Sequence, residues 1–348
     1  MKAFVMAAGA GTRLRPLTYE IPKPMVPVVN KPVLEHVLEN LKVYGINEVV
    51  LNLHNFPELI TRHFGDGSAL GIKLEYSLEK KLLGTAGGVK RKENLFDSTF
   101  VVMSGDGLTD INIAKALKYH KAKKALATMV LKPVDSKFEY GVTLTDKSGK
   151  IKKFIEKPRW SDVFANTVNT GIYIFEPEIF NYIPKNRPYD FGFQLWPDLL
   201  ARKKRIYGYV MKEYWTDVGN IKEYRNGVKG ALEGKIRLNI PGKEVRPGIW
   251  VGEGAKIEKG AKLFAPCVIG RYCFIGSGAC IDSFTTIGDN SYIERGAVIK
   301  NSILWEKVKV AKNVHLENCI IGNKAKVSED ISVFEGTVLN IDLNKCQI

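Results

Sequence analysis

From Val251 onward an aliphatic side chain returns at every sixth position: Val251, Ile257, Leu263, Ile269, Ile275, Ile281, Ile287, Ile293 and Ile299. Four residues after each of the first eight stands a small side chain, running from Ala255, Ala261, Cys267 and Cys273 to Ala279, Thr285, Ser291 and Ala297. A repeat of six is the mark of a triangular parallel coil, in which each side turns one aliphatic inward and each corner admits a small residue. The expectation is a C-terminal left-handed parallel β-helix of hexapeptide repeats. The phase slips after Ile299 and is expected to resume through Val308, Val314 and Ile320, then Ile321, Val327, Val333 and Leu339.

The first 230 or so residues keep a different beat. "KAFVMAA", "EVVLNLH" and "TFVVMSGD" read as strands, while "PVLEHVLENLKVYG", closed by Gly45, and "INIAKALKYHKAKK" read as helices. Apolar strands alternating with helices predict an α/β unit with a Rossmann-like, mostly parallel sheet and helices on both faces. Ligands on such sheets bind at the carboxyl ends of the strands. Three divisions follow: a first domain over 1–232, a linker over 233–247, and the β-helix over 248–348.

The five cysteines, Cys267, Cys273, Cys280, Cys319 and Cys346, are odd in number and contain no C-x-x-C. They fit neither a disulfide framework nor a zinc site, and predict a reducing, cytoplasmic setting. Cys267 and Cys273 fall in the small-residue slot of the repeat, so packing explains them. The opening "MKAFVMAAGAG" is short and runs at once into charged "TRLR", which favours a buried first strand over a leader. No apolar run reaches the ~20 residues that span a bilayer. The formal net charge of +15 points to anionic partners. Its lysines are scattered and form no basic tail, which argues for small polyanions over nucleic acid or a membrane surface.

"MAAGAGTRLRPLTYEIPKPM", Met6 to Met25, places two glycines and three cations directly after the first strand. It is no Walker loop, and Leu14 stands where a dinucleotide fingerprint needs its third glycine. What remains is a glycine turn whose backbone N–H groups can approach a polyphosphate. Arg13 adds a bidentate guanidinium and Lys23 a point charge, on a chain stiffened by Pro22, Pro24 and Pro27.

This stretch, continued through "VPVVNKPVLEH", resembles the signature of the sugar-nucleotide pyrophosphorylases. "EKKLLGTAGGVK", "VVMSGDGLTDI", "FEYGV", "KIKKFIEKP", "VNTGIYIFEPE" and "YWTDVGN" are similar to later blocks of that family in the same order. The nearest likeness is to members that make GDP-mannose. The resemblance implies a nucleotidyltransferase acting on a nucleoside triphosphate and a sugar-1-phosphate, with Mg²⁺ as cofactor. By the same resemblance, Arg13 would hold the leaving pyrophosphate, Lys23 the α-phosphate and Lys157 the sugar phosphate. Asp106 and Asp217 would hold the metal. Ala8, Gly9, Gly11, Thr12, Gly84 and Thr85 would line the nucleotide, and Gly141, Glu156, Asn169 and Gly171 the sugar.

Glu79, five before Gly84, stands where related enzymes read the base edge. A carboxylate accepts from guanine N1–H and N2–H₂ and offers no donor to a uracil carbonyl, which favours GTP. Ala8 counters it, because "AAG" is more like uridylyl members. Glucose-1-phosphate uridylyl or thymidylyl transfer is therefore the alternative chemistry. A catalytically silent regulatory subunit is the non-enzyme alternative, although none of the expected metal or phosphate residues is missing. Acyl transfer by the β-helix would need a histidine base near a coil edge, and His315 is the only histidine after residue 120. The open end of a coil stack predicts a homo-oligomer.

Overall fold

A computed structural model describes residues 1–134 and 140–340; Phe138 and Glu139 of the "FEYGV" block and Cys346 lie outside them. Contacts divide the chain into two compact units: Met1–Gly11, Pro22–Pro24 and Val33–Val218 form one, and Thr12–Ile21, Met25–Pro32 and Gly219–Ile348 the other.

The first unit is α/β. Its elements are β1 (Lys2–Met6), α1 (Val33–Val43), β2 (Glu48–Leu53), α2 (Pro57–Phe64), β3 (Lys73–Leu78), α3 (Gly84–Lys90), β4 (Phe100–Ser104), β5 (Gly107–Thr109), α4 (Ile113–Ala122), β6 (Ala127–Pro133), β7 (Val142–Thr145), β8 (Ile151–Ile155), β9 (Thr167–Phe175), α5 (Trp196–Ala201), β10 (Ile206–Val210) and β11 (Trp215–Asp217). The nine-stranded sheet runs β8-β7-β9-β4-β1-β2-β3, with β6 branching from β9 and β10 pairing with β6. Strands β3, β2, β1 and β4 are parallel to one another. This is the Rossmann-like portion, and its inner strands β1 and β4 are apolar runs with little exposure, as burial on both faces requires, while β3 at the edge alternates buried and exposed residues.

Beyond β4 the sheet turns antiparallel through β9. That strand pairs with β4 and β6 near its end, and its register to β6 shifts between Asn169 and Tyr173. Gly171 sits inside the shift at φ +74°, a conformation that favours glycine. Helices α1 and α4 fall where apolar periodicity places them. Gly45 closes the first at φ +71° with its N–H on Lys42, and the Asn112 side chain caps the second by accepting from Lys115 N–H. The aromatic core stacks Tyr173, Phe175, Phe191 and Trp196 on one another.

The second unit is a parallel coil of three sheets, with seven, five and five strands. In the early turns each strand pairs eighteen positions on, as in Cys267 with Thr285. From Thr286 with Ile303 the step is seventeen, and it stays so through Ile320 with Thr337. Each shortened turn loses its residue at one corner. Inward aliphatics go from Ile299 to Leu304, Leu316 to Ile321 and Val333 to Val338, five positions each, while the other two sides keep six. The expected slip is therefore present, but its register differs. Leu304, Val310 and Leu316 continue the strand positions, Val308 and Val314 fill corners, and Val338 takes the place assigned to Leu339. The sequence hid this because valines occupy both slots.

Corners turn on left-handed residues repeated from coil to coil, such as Phe284, Asn301, Asn318 and Glu335. Cys267 and Cys273 are buried in the coil core, and burial pushes their thiols up to about 12 and about 11, so they stay protonated packing groups. Within the stretch 233–247, Lys243–Arg246 forms a strand pairing antiparallel with Ile249–Val251 at the edge of the first sheet. The helix α6 (Ile221–Leu232), capped by the Asn220 side chain on Glu223 N–H, packs in this unit. Its buried Tyr224 hydroxyl donates to the Pro27 carbonyl and accepts from Trp305 Nε1.

Candidate active site

The parallel strands deliver their carboxyl ends side by side, because Met6 pairs with Asn52 of β2 and with Ser104 of β4. Asn52 is a polar residue at the end of an apolar strand, and both ends of its amide are engaged. Its Oδ1 accepts from Ala7 N–H at 2.8 Å, and its Nδ2 donates to Glu79 Oε1 at 2.8 Å. Glu79 is only 2 % exposed, and its Oε2 accepts from Leu83 N–H at 2.9 Å. The base-reading candidate is thus a fixed carboxylate with one partner on each oxygen. Gly88 makes room for it: a Cβ there would stand 2.6 Å from Glu79 Oε1 and 3.0 Å from Asn52 Nδ2.

Asp106 follows β4 through Gly105, where a Cβ would stand 3.0 Å from the Met6 carbonyl oxygen. Strand β5 then pairs antiparallel with β11, setting Asp217 opposite Gly107. This ladder brings Asp217 beside Asp106 although the two are far apart in sequence. Lys23, on a 3₁₀ turn over Lys23–Met25, completes the group. Its Nζ lies 2.5 Å from Asp106 Oδ2 and 2.9 Å from Asp217 Oδ1. Burial alone would lower the Lys23 ammonium, but the two carboxylates overcome it and hold the pKa above the ordinary lysine value. Burial likewise acts to raise Asp106, and Lys23 with the Ser104 hydroxyl, which donates to Asp106 Oδ1, reverses the sign and keeps it ionised.

A cavity of about 320 Å³ opens over this group. Ala8, Gly9, Lys23, Glu79, Gly84, Thr85 and Asp106 line it together. So do Asn52, Ser104 and Asp190, which sequence reasoning missed. Asp190 sits in "RPYDFGF", with no motif around it to flag it. Its Oδ1 accepts from Gly192 and Phe193 N–H, and its Oδ2 from the Thr85 hydroxyl at 2.7 Å. The same segment seats α3: a Cβ on Gly84, at φ +70°, would meet the Tyr189 carbonyl oxygen at 2.7 Å.

The residues expected to line a sugar form their own cluster. Gly141 faces Glu156, where an added Cβ would lie 2.6 Å from Oε2. Asn169 N–H donates to the Gly141 carbonyl at 2.7 Å, Asn169 Nδ2 to the Tyr173 hydroxyl, and Gly171 N–H to Asn169 Oδ1. A Cβ on Gly171 would come within 3.2 Å of Ser104 Cβ, so this cluster borders the strand end that carries Asp106. Burial raises the Glu156 carboxyl to about 7, Asp190 adds to the rise, and Lys157 opposes it. Lys157 itself is exposed, on left-handed backbone at φ +45°. Gly11 carries φ +66° at the end of the glycine turn. Thr12 and Arg13 stand on the 3₁₀ turn Thr12–Leu14, which groups with the second unit.

The nucleotidyl transferase family model matches residues 2–233 of this sequence. The chain belongs to the nucleotidyl transferase family. A second model, described as the LbH domain of EIF2B subunit epsilon, matches residues 244–345. The transferase is 38 % identical over 337 residues to a UTP–glucose-1-phosphate uridylyltransferase of Synechocystis, covering 92 % of this chain and 87 % of that one. It is 34 % identical over 304 residues to a mannose-1-phosphate guanylyltransferase of Mycobacterium tuberculosis, covering 86 % and 82 %. A mannose-1-phosphate guanylyltransferase of Arabidopsis thaliana is 32 % identical, with 97 % and 96 % covered. Among solved structures, a putative glucose-1-phosphate thymidylyltransferase from Bacillus anthracis superposes with a TM-score of 0.61 at 23 % identity, over 69 % of this chain and 97 % of that one. That likeness carries the fold. The chain is a nucleotidyltransferase, as the sequence blocks implied.

Proposed function

We propose that the chain transfers GMP from GTP to mannose-1-phosphate, forming GDP-mannose and releasing pyrophosphate. The observation that supports this most is the convergence of Lys23, Asp106 and Asp217 at the strand ends. A phosphate oxygen of the sugar attacks the α-phosphorus in line, and the bond from that phosphorus to the pyrophosphate oxygen breaks. No protein nucleophile is needed, so positioning and charge neutralisation carry the rate.

Asp106 and Asp217 offer two hard oxygens aimed at one point, a donor set suited to Mg²⁺ completed by phosphate oxygens. Among the described residues no three His, Cys, Asp or Glu side chains gather as a metal cage. Bound there, Mg²⁺ would neutralise charge on the reacting phosphates. Lys23 would serve the α-phosphate, Arg13 the pyrophosphate and Lys157 the sugar phosphate. Ala8, Gly9, Gly11, Thr12, Gly84 and Thr85 would contact the nucleotide, and Glu156, Gly141, Asn169 and Gly171 the sugar. Residues 1–232 would carry catalysis and 248–348 a β-helix used in homo-oligomer assembly, in the cytoplasm. Among the described residues no helix is long and apolar enough to cross a membrane.

A second reading, uridylyl transfer to glucose-1-phosphate, is favoured by Ala8 and by the name of the 38 % identical relative. Pyrophosphate release from purified protein across GTP, UTP and dTTP, each with mannose- and glucose-1-phosphate, separates the two. The expected result is fastest turnover with GTP and mannose-1-phosphate. A strong preference for UTP with glucose-1-phosphate selects the second reading.

Glu156 gives the reaction a pH signature. With its carboxyl near 7, it is neutral below that pH and becomes an acceptor-only carboxylate above it. Affinity for the sugar phosphate is expected to improve as pH rises through about 7. The phosphate's own second ionisation falls near 6, so the control is Glu156→Gln, which should flatten the step near 7 in KM while leaving the phosphate's step in place.

A further inference from the structure

Lys23 stands where the metal would. Its ammonium nitrogen lies 2.5 Å and 2.9 Å from the very oxygens offered by Asp106 and Asp217, and its side chain is 9 % exposed. A Mg²⁺ ion draws carboxylate oxygens to about 2.0–2.1 Å and demands room for an octahedral shell. The ion and the ammonium cannot both fill that gap, and their like charges would repel in a poorly solvated site. Resting on the transfer reading above, we infer that Lys23 is an internal counter-ion that closes the metal position to free cations. It yields that position only when a nucleoside triphosphate arrives with its own metal and gives the ammonium a phosphate to move to.

The residue type suits the task. Lysine carries a point charge on a flexible four-carbon stem, whereas arginine's planar fork would lock onto the carboxylates. Pro22 and Pro24 hold the backbone, so the exchange needs side-chain rotation alone. Without nucleotide, leaving the two carboxylates would strand a buried charge, which is costly. The device therefore fixes an order of binding, with the metal–nucleotide complex taken up as one unit.

The test uses Mn²⁺ alone, without nucleotide, followed by electron paramagnetic resonance and calorimetry on the full chain. The wild type should bind it at least tenfold more weakly than Lys23→Met, with Lys23→Gln as a second variant should the first fold poorly. Equal Mn²⁺ affinity in wild type and variant overturns the counter-ion role while leaving the transfer reading intact. Adding Asp106→Asn to Lys23→Met should abolish the gain; if tight binding persists, the carboxylates are not the metal ligands and the transfer reading itself fails at that point. A second measurement starts from the wild type: Mn²⁺ alone should leave its melting temperature unchanged. A rise that disappears in Asp106→Asn would overturn the inference.

Discussion

Asp106→Asn lowers turnover by on the order of 10²–10³-fold, the loss expected when one charged group aimed at the reacting phosphates is removed. The amide keeps the volume of the carboxyl and its place beside Ser104, and Lys23 retains Asp217 as a partner, so the fold should be spared. Lys23→Ala is expected to lose a similar factor for a different reason. It removes the cation and leaves two carboxylates facing each other, and breaking such a buried pair costs about 3–5 kcal/mol. Its melting temperature should fall while that of Asp106→Asn holds. Steady-state pyrophosphate release with circular dichroism on both variants checks this. Wild-type rates in Asp106→Asn would remove the carboxylate from the chemistry.

The second large effect concerns the choice of base. Each Glu79 oxygen already accepts one protein donor, from Asn52 or from Leu83, and keeps its other lone pair for a ligand. Glu79→Gln replaces one acceptor with a donor. The buried Asn52 amide or the Leu83 N–H then loses its partner, at about 1–3 kcal/mol. The expected outcome is a fall of about 10–100-fold in kcat/KM for GTP, and a smaller fall for UTP, so that discrimination between the two narrows. Gly88→Ala should act in the same direction by displacing the carboxylate it adjoins. Comparing kcat/KM for both nucleotides in the two variants is the measurement, and an unchanged GTP-to-UTP ratio in Glu79→Gln would show that this residue does not read the base.

How much of this was legible in the chain depends on the range of the interaction. The coil was readable because a repeat of six is local, and the same pattern recurs on every side. Its register after Ile299 was misread where valines stand at both strand and corner. Strands β1, β2 and β4 announced themselves as apolar runs, whereas the edge strand β3, with alternating exposure, did not, and the antiparallel turn through β9 rests on long-range pairing that no local period encodes. The individual site residues were flagged by resemblance. What no local pattern could supply was their meeting: Asp217 is set beside Asp106 by a ladder between two three-residue strands, and Lys23, 194 positions from Asp217, reaches both from a separate turn. Asp190 and Asn52 gave no sign of their roles because a lone carboxylate near a proline and a lone amide in a strand are common. Glu79 was marked as a ligand for the base, and its first attachments turn out to be to the protein.

The stack of eighteen- and then seventeen-residue turns carries a mechanical consequence. Each rung is bonded only to the one before and the one after, so cooperativity passes along a line instead of through a globular centre. Cys267–Ile269 lies wholly inside, whereas Ser332–Phe334 and Thr337–Val338 are largely open to solvent. Amide protons should therefore exchange fastest at the far end and progressively more slowly toward the middle, as in a zipper that opens from its last teeth.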